Sequence, residues 1–199
     1  MPEGKRVAFD AGSRLADHVA DGVTATILHA PTARTRETAE EIARGLASAL
    51  RAQNKNAVRV LSPRAEHAIR NFHFIIDDTL YPPTDRMHES LPASAERNPF
   101  LTGFWQAEQD PIAYWLIHPS ENAETPSAVA ARLREFFLSL LDVPGGVHVL
   151  VTHSGPMRAF LREVLGADPG EPDFCESFLV NANGVHYRGQ RGEMRLMSR

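Results

Sequence analysis

Residues 149–166, VLVTHSGPMRAFLREVLG, pass from a continuous apolar run into a helical pattern with only HSGP between them. Together with Val147 and His148, the run VHVLVT reads as a buried strand, because strands covered on both faces are apolar throughout rather than alternating. MRAFLREVLG has apolar residues at helical spacing and closes at Gly166, a residue suited to a helix C-terminus. A strand that leads straight into a helix is also a natural anion site. The free backbone N–H groups of Ser154, Gly155 and the first helical turn point at a bound phosphate, helped by the helix dipole. His153 can add a hydrogen bond or a positive charge toward the same oxygens. A histidine that merely caps a strand looks the same locally, so this segment alone leaves both readings open.

A second segment repeats the arrangement. VTATILHAP, residues 23–31, is a short β-branched strand ended by Pro31, and the helix after it runs from about Thr32 to Leu50 with Ala39, Ile42, Leu46 and Leu50 on one face. Arg34 and Arg36 fall in its first turn. Arginine there works against the helix dipole, and a phosphate dianion, which a guanidinium binds bidentately, supplies a reason for the cluster. The competing reading pairs both arginines with Glu37, Glu40 and Glu41 or leaves them solvated.

Working outward, Ala8, Ala11, Leu15 and Val19 recur at helical spacing from a start at Pro2 and Glu3, and Gly22 stops that helix. NAVRVL, residues 56–61, makes another strand, so helices and strands alternate as in an α/β domain with a largely parallel sheet. Residues 62–122 lose periodicity, gather prolines and aromatics, and show one helical stretch near Phe104 to Ile117; they are expected to form an insertion or lid over the sheet. Beyond it, Thr125 and Pro126 open a helix with Val129, Leu133, Phe136 and Leu140 facing inward, and Pro144-Gly145-Gly146 ends the connection. The chain finishes as a meander of SFLVNA, the turn Asn183-Gly184, VHYRG and EMRLM. With 199 residues of ordinary composition, one domain over residues 1–199 is expected. The net charge of −4, with both signs mixed, argues against nucleic acid or an anionic membrane as partner. No apolar run reaches membrane length and the opening MPEGKRVAFD lacks a signal-peptide core, so a soluble, cytoplasmic protein is expected. The single cysteine, Cys175, has acidic neighbours in DFCES that would raise its pKa and leave it inert.

In order and content these segments resemble the histidine phosphatase (phosphoglycerate mutase-like) superfamily. The family's S-P-x-x-R-A-x-x-T-A segment is matched by Pro31, Arg34, Thr38 and Ala39, with Ala30 in place of the serine. Its strand–[TS]-H-G/S-G–helix segment is matched by Thr152-His153-Ser154-Gly155. AETPSAVAARLREFFLSLL is similar to its G-E-S-x-x-x-V-x-x-R helix, and PEGKRVAFDAGSRLA to its T-x-x-G-x-x-Q-A-x-x-x-G-x-x-L-A helix, with Val7 for the glutamine. The resemblance implies a three-layer α/β/α fold with a mostly parallel sheet. It also implies a phosphatase or mutase without metal or cofactor, acting on a small phosphate monoester or binding inorganic phosphate, with Arg34, His153, Ser154 and Gly155 holding the phosphoryl group.

The departure from the family concerns the nucleophile. In the family a first strand ends in R-H-G and its histidine becomes phosphorylated, whereas this sequence contains no R-H-G. AFDAG would supply only the glycine and leaves too few residues for the intervening helix. The expectation is a chain that lacks the first strand by truncation, inactive by itself, or else a pseudoenzyme that binds phosphate or a protein, with a homodimer as one way to cover the gap. By position Glu66 corresponds to the family's general acid, with Asp77 and Glu89 as competitors. His29, at the end of a strand, is a less favoured substitute nucleophile. The pairs His67/His73 and His148/His153 do not have recognised zinc spacing. Phe72, Phe74, Tyr81, Trp105, Tyr114 and Trp115 divide between core and a cap that would choose the leaving group.

Overall fold

Helix α1 (Glu3–Leu15), strand β1 (Thr24–His29) and helix α2 (Ala33–Ala52) open the computed structural model, which describes residues 3–83, 91–143 and 145–194. Next come β2 (Arg59–Val60), β3 (Arg64–Ala65), β4 (Phe74–Ile76), β5 (Thr79–Tyr81), α3 (Pro99–Gln106), α4 (Pro111–Ile117) and α5 (Pro126–Leu141). The chain continues with β6 (Gly146–Val151), α6 (Ser154–Leu165), β7 (Leu179–Asn181), β8 (Gly184–Tyr187) and β9 (Gln190–Gly192). Two compact units result. The first comprises Met1–Arg70, Phe136–His153 and Pro172–Phe178; the second comprises Asn71–Glu135, Ser154–Glu171 and Leu179–Arg199. Pro2, Glu89, Pro144 and residues 195–197 of the expected last strand lie outside the described residues.

The first unit carries a wholly parallel sheet. Strand β1 pairs with β6 along its full length, Thr24 with Gly146 through His29 with Val151. Its other edge pairs with β2 at Thr24 and Ala25 and with β3 at Leu28 and His29. The expected strand over residues 56–61 is therefore shorter and is resumed by Arg64–Ala65, inside the stretch read as insertion. Ser62 and Pro63 interrupt it, since proline has no N–H to give to the ladder. Ile27 and Val151 from the sheet meet Ala8, Ala39 and Ile42 from α1 and α2 in one core cluster, and Ala16, Val19, Ala25, Leu46 and Leu50 form another.

Helices α1 and α2 touch backbone to backbone. A Cβ at Gly12 would overlap the carbonyl of Ile42, and one at Gly45 would overlap the carbonyl of Phe9. Ser13 Oγ donates across the contact to Gly45 O at 3.3 Å and within its own helix to Phe9 O at 3.1 Å. Mid-helix glycine costs about 1 kcal/mol relative to alanine, and the close approach is what these two residues return.

The second unit is built on aromatic packing. Phe72 stacks on Trp115 at 4.2 Å between centroids, and Phe74 meets Phe104 edge-on at 5.0 Å. Phe72, Phe74 and Trp115 are fully buried, so these three expected cap residues are core; Tyr81, Trp105 and Tyr114 pack half-buried against them. The helix expected near Phe104 to Ile117 is two helices. Asp110 caps α4 by accepting from Ala113 N at 2.8 Å, and Pro111 follows at the first helical position; both are start signals that divide the pattern. On α5, Phe137 is buried and Phe136 only half-buried, one position from the expected face. Asp77 and Asp78 both have positive φ, 48° and 58°, in the turn between β4 and β5, as a tight hairpin requires.

Arg158 of α6, buried to 1% side-chain exposure, collects three carboxylates. It donates to Asp110 at 2.7 and 2.9 Å, to Asp168 at 3.0 and 2.5 Å, and to Glu171 at 3.0 Å. Its hydrogen bonds hold the Asp110 carboxyl below the usual range. The start of α4 and the segment after α6 are thereby tied to one guanidinium.

Gly12→Ala and Gly45→Ala are each expected to lower stability by about 1–3 kcal/mol in urea denaturation, because overlap with backbone outweighs alanine's helix preference. Unchanged midpoints would show that the two helices separate at no cost.

Candidate phosphate site

Strands β1, β3 and β6 run parallel, so their C-terminal ends lie on the same side of the sheet, where ligands gather in open α/β folds. Glu66 follows β3, Thr32 and Arg34 follow β1, and His153 follows β6. Two backbone hydrogen bonds fix these ends: Ala30 N donates to Val151 O at 2.9 Å, and Glu66 N to His29 O at 2.8 Å. Thr152 Oγ1 donates to Ile69 O at 2.7 Å and ties the residue before His153 to the short turn after Glu66.

Thr32 is the N-cap of α2. Its backbone is extended and its hydroxyl accepts from Thr35 N at 3.4 Å. The same oxygen lies 2.8 Å from Thr35 Oγ1 and 3.4 Å from His153 Nε2. Thr35 is buried, and its hydroxyl donates to Ala30 O at 2.5 Å. No acidic residue stands in the first turn of α2, whereas Arg34 and Arg36 do. Arg36 takes the bland role, an exposed pair with Glu40 at 3.8 Å one helical turn on, worth a few tenths of a kcal/mol. Arg34 is exposed, and its charge acts on His153.

His153 is held well below its ordinary value, at about 4, first because burial disfavours the imidazolium and second because of the Arg34 charge. The ring is therefore neutral at neutral pH, a hydrogen-bonding group beside a fixed guanidinium rather than a second cation. Glu66 Oε1 accepts from Ala68 N at 2.9 Å and caps the turn His67–Ile69. His29 is buried and commits Nδ1–H to Ala30 O at 2.7 Å. His148 sits within β6 opposite Thr26. Cys175 is raised, as expected, but burial is the cause rather than acidic neighbours, and Arg14 pulls in the other direction. Asp77 accepts from Ser94 Oγ at 2.6 Å in its turn.

Ser154 and Gly155 open α6 in the second unit. Gly155 is buried, and a Cβ there would stand 3.2 Å from the Phe72 ring and from Asn71 Oδ1. Thr32 and Thr35 were not among the sequence-derived site residues. The sequence signal was present only as an N-cap threonine three residues ahead of a second one. Among the described residues no group of three or more His, Cys, Asp or Glu is disposed to hold a metal ion, and no helix is long and apolar enough to cross a membrane.

A family model described as the histidine phosphatase superfamily (branch 1) matches residues 93–199, more than half of the chain and the part that includes His153. No curated protein sequence matches. Among solved structures, a mycobacterial glucosyl-3-phosphoglycerate phosphatase complexed with VO3 is 16% identical, covering 95% of this chain and 76% of that one with a TM-score of 0.46. A mycobacterial hydrolase is 18% identical, with 83% and 66% covered and a TM-score of 0.44. The product of an open reading frame of Mycobacterium tuberculosis is 15% identical, with 96% and 80% covered and a TM-score of 0.45.

The ring of His153 is expected to titrate near pH 4 by NMR. Arg34→Ala should raise that midpoint only partly, because burial is the larger cause. The sign for stability follows: an unfolded histidine takes up its proton below about 6.5 and the folded ring refuses it, so this contribution is present above that pH and is lost as pH falls toward about 4. An ordinary midpoint would show that the ring is solvated.

Proposed function

The chain belongs to the histidine phosphatase superfamily (branch 1), and from that premise we propose that its Arg34 and His153 hold the phosphoryl group of a small phosphate monoester that is hydrolysed through a phosphohistidine. The observation that carries this reading is the pairing of a permanent guanidinium charge with a half-buried neutral imidazole at the C-terminal end of a parallel sheet. Arg34 neutralises phosphoryl charge at any working pH. His153 stands beside the same oxygens, and charge that builds on them in the transition state is stabilised by the guanidinium already in place. Ser154 and Gly155, next in the chain, offer main-chain N–H groups at the start of α6.

In this reading the nucleophilic imidazole is supplied by sequence outside residues 1–199, since the chain contains no Arg-His-Gly. A nitrogen–phosphorus bond forms as the phosphorus–oxygen bond to the leaving alcohol breaks, and Glu66 gives that oxygen its proton. Glu66 Oε1 is occupied as an acceptor from Ala68 N, which leaves Oε2 to carry the proton. Water then cleaves the phosphohistidine and releases inorganic phosphate. The missing motif equally favours a second reading, in which residues 1–199 bind phosphate or a phosphorylated partner and turn nothing over.

Binding of inorganic phosphate, followed by calorimetry, tests what the two readings share. Arg34→Ala is expected to weaken it tenfold or more, since a hydrogen bond to a charged group contributes about 1.5–3 kcal/mol; no binding, or equal binding by the variant, sinks both. Release of phosphate from an aryl phosphate by protein that also carries an Arg-His-Gly segment separates them, because the hydrolytic reading requires it and the non-catalytic reading forbids it. Turnover by this chain alone would overturn both the outside nucleophile and the non-catalytic reading.

A further inference from the structure

His153, Thr32, Thr35 and the Ala30 carbonyl form a chain of polar atoms whose proton count can be settled. Thr35 Oγ1 stands 2.5 Å from Ala30 O. Two oxygens at that separation repel unless a proton lies between them, and a carbonyl has none to give. The Thr35 proton therefore points to Ala30; its other near carbonyl, Thr32 O at 3.1 Å, would use it in the same way. With that proton spent, the 2.8 Å contact between the two hydroxyls needs the proton of Thr32. Thr32 Oγ1 is then left with lone pairs only, and it uses them to accept from Thr35 N and from His153 Nε2, each at 3.4 Å. The ring nitrogen in this contact must carry hydrogen. All four groups belong to the first unit, and the Thr35 and Ala30 end of the chain is buried.

We propose that Thr32 and Thr35 are positioning residues that fix His153 as its Nε2–H tautomer, leaving Nδ1 as the ring's basic nitrogen. A neutral histidine otherwise divides between two tautomers, and which one a site holds is set by the partner of the other nitrogen. Here the direction is imposed from Ala30 outward, through two hydroxyls. Its use in catalysis or binding rests on the proposed function: a phosphoryl group that engages Nδ1 meets an acceptor, so it must bring a proton of its own, as the monoanion does, or leave the ring to take one from water. Arg34, by contrast, offers donors only.

Nitrogen-15 NMR of the full chain labelled at histidine tests this without phosphate, with His153→Gln identifying the resonances. The wild type is expected to show a pyrrole-like Nε2 and a pyridine-like Nδ1. Thr35→Val removes the hydroxyl that orients Thr32 and should draw the two shifts toward each other, while Thr35→Ser should restore the wild-type pattern. A wild-type ring protonated on Nδ1, or a Thr35→Val spectrum identical to wild type, overturns the proposal. If a valine variant fails to fold, the wild-type tautomer and the serine variant still decide. Failure of phosphate to bind in the calorimetric experiment would sink the proposed function and leave this result standing.

Discussion

The register of β1 against β6 is the constraint from which the site follows. Six consecutive residue pairs set His29 beside Val151, and Ala30 N extends the ladder by one hydrogen bond to Val151 O. Each such bond contributes only about 0.5–1.5 kcal/mol net, but a slip of one residue would turn every side chain of the strand to the opposite face. A slipped β1 would carry Ile27 out of the core cluster it shares with Val151, α1 and α2. Apolar burial thus fixes a register whose visible result is polar: the segments leaving the two strands set a Thr32 hydroxyl within 3.4 Å of a His153 nitrogen.

Much of this was legible because it is local. The strand–HSGP–helix run and the strand–proline–helix run each hold their signal within about twenty residues, and their elements agree with the sequence pattern to within a few positions. What was misjudged depended on partners far along the chain or on competing punctuation. Ser62-Pro63 separates two short strands that pair with the same edge of β1, and Asp110-Pro111 restarts a helix that apolar spacing alone would run through. Acidic sequence neighbours and burial push the Cys175 thiol in the same direction, but burial, unseen in sequence, is what governs it. The roles of Thr32 and Thr35 needed a contact 121 residues away.

Arg34 and Arg36 stand two residues apart in one helical turn and diverge in role. Two positions along a helix is about 200° of rotation, so side chains there cannot share a partner. Arg36 finds Glu40 a turn below it, while Arg34 acts on His153 across from the end of β6. The same geometry keeps the imidazole neutral: a half-buried ring beside a guanidinium has two reasons to refuse a proton, and a bound anion removes one of them.

The glycines at the crossing of α1 and α2 carry a consequence for how this chain can vary. At most core positions a sequence has graded alternatives, trading a methyl here for a cavity there. At Gly12 and Gly45 there is no gradient, because every other residue begins with the same Cβ and that atom already meets the Ile42 or the Phe9 carbonyl. The two sites also face each other's helix reciprocally, so widening the gap to admit one side chain removes the reason for glycine at the other. Any tolerated exit is therefore a joint one: both positions change together and the helices settle farther apart, or neither changes.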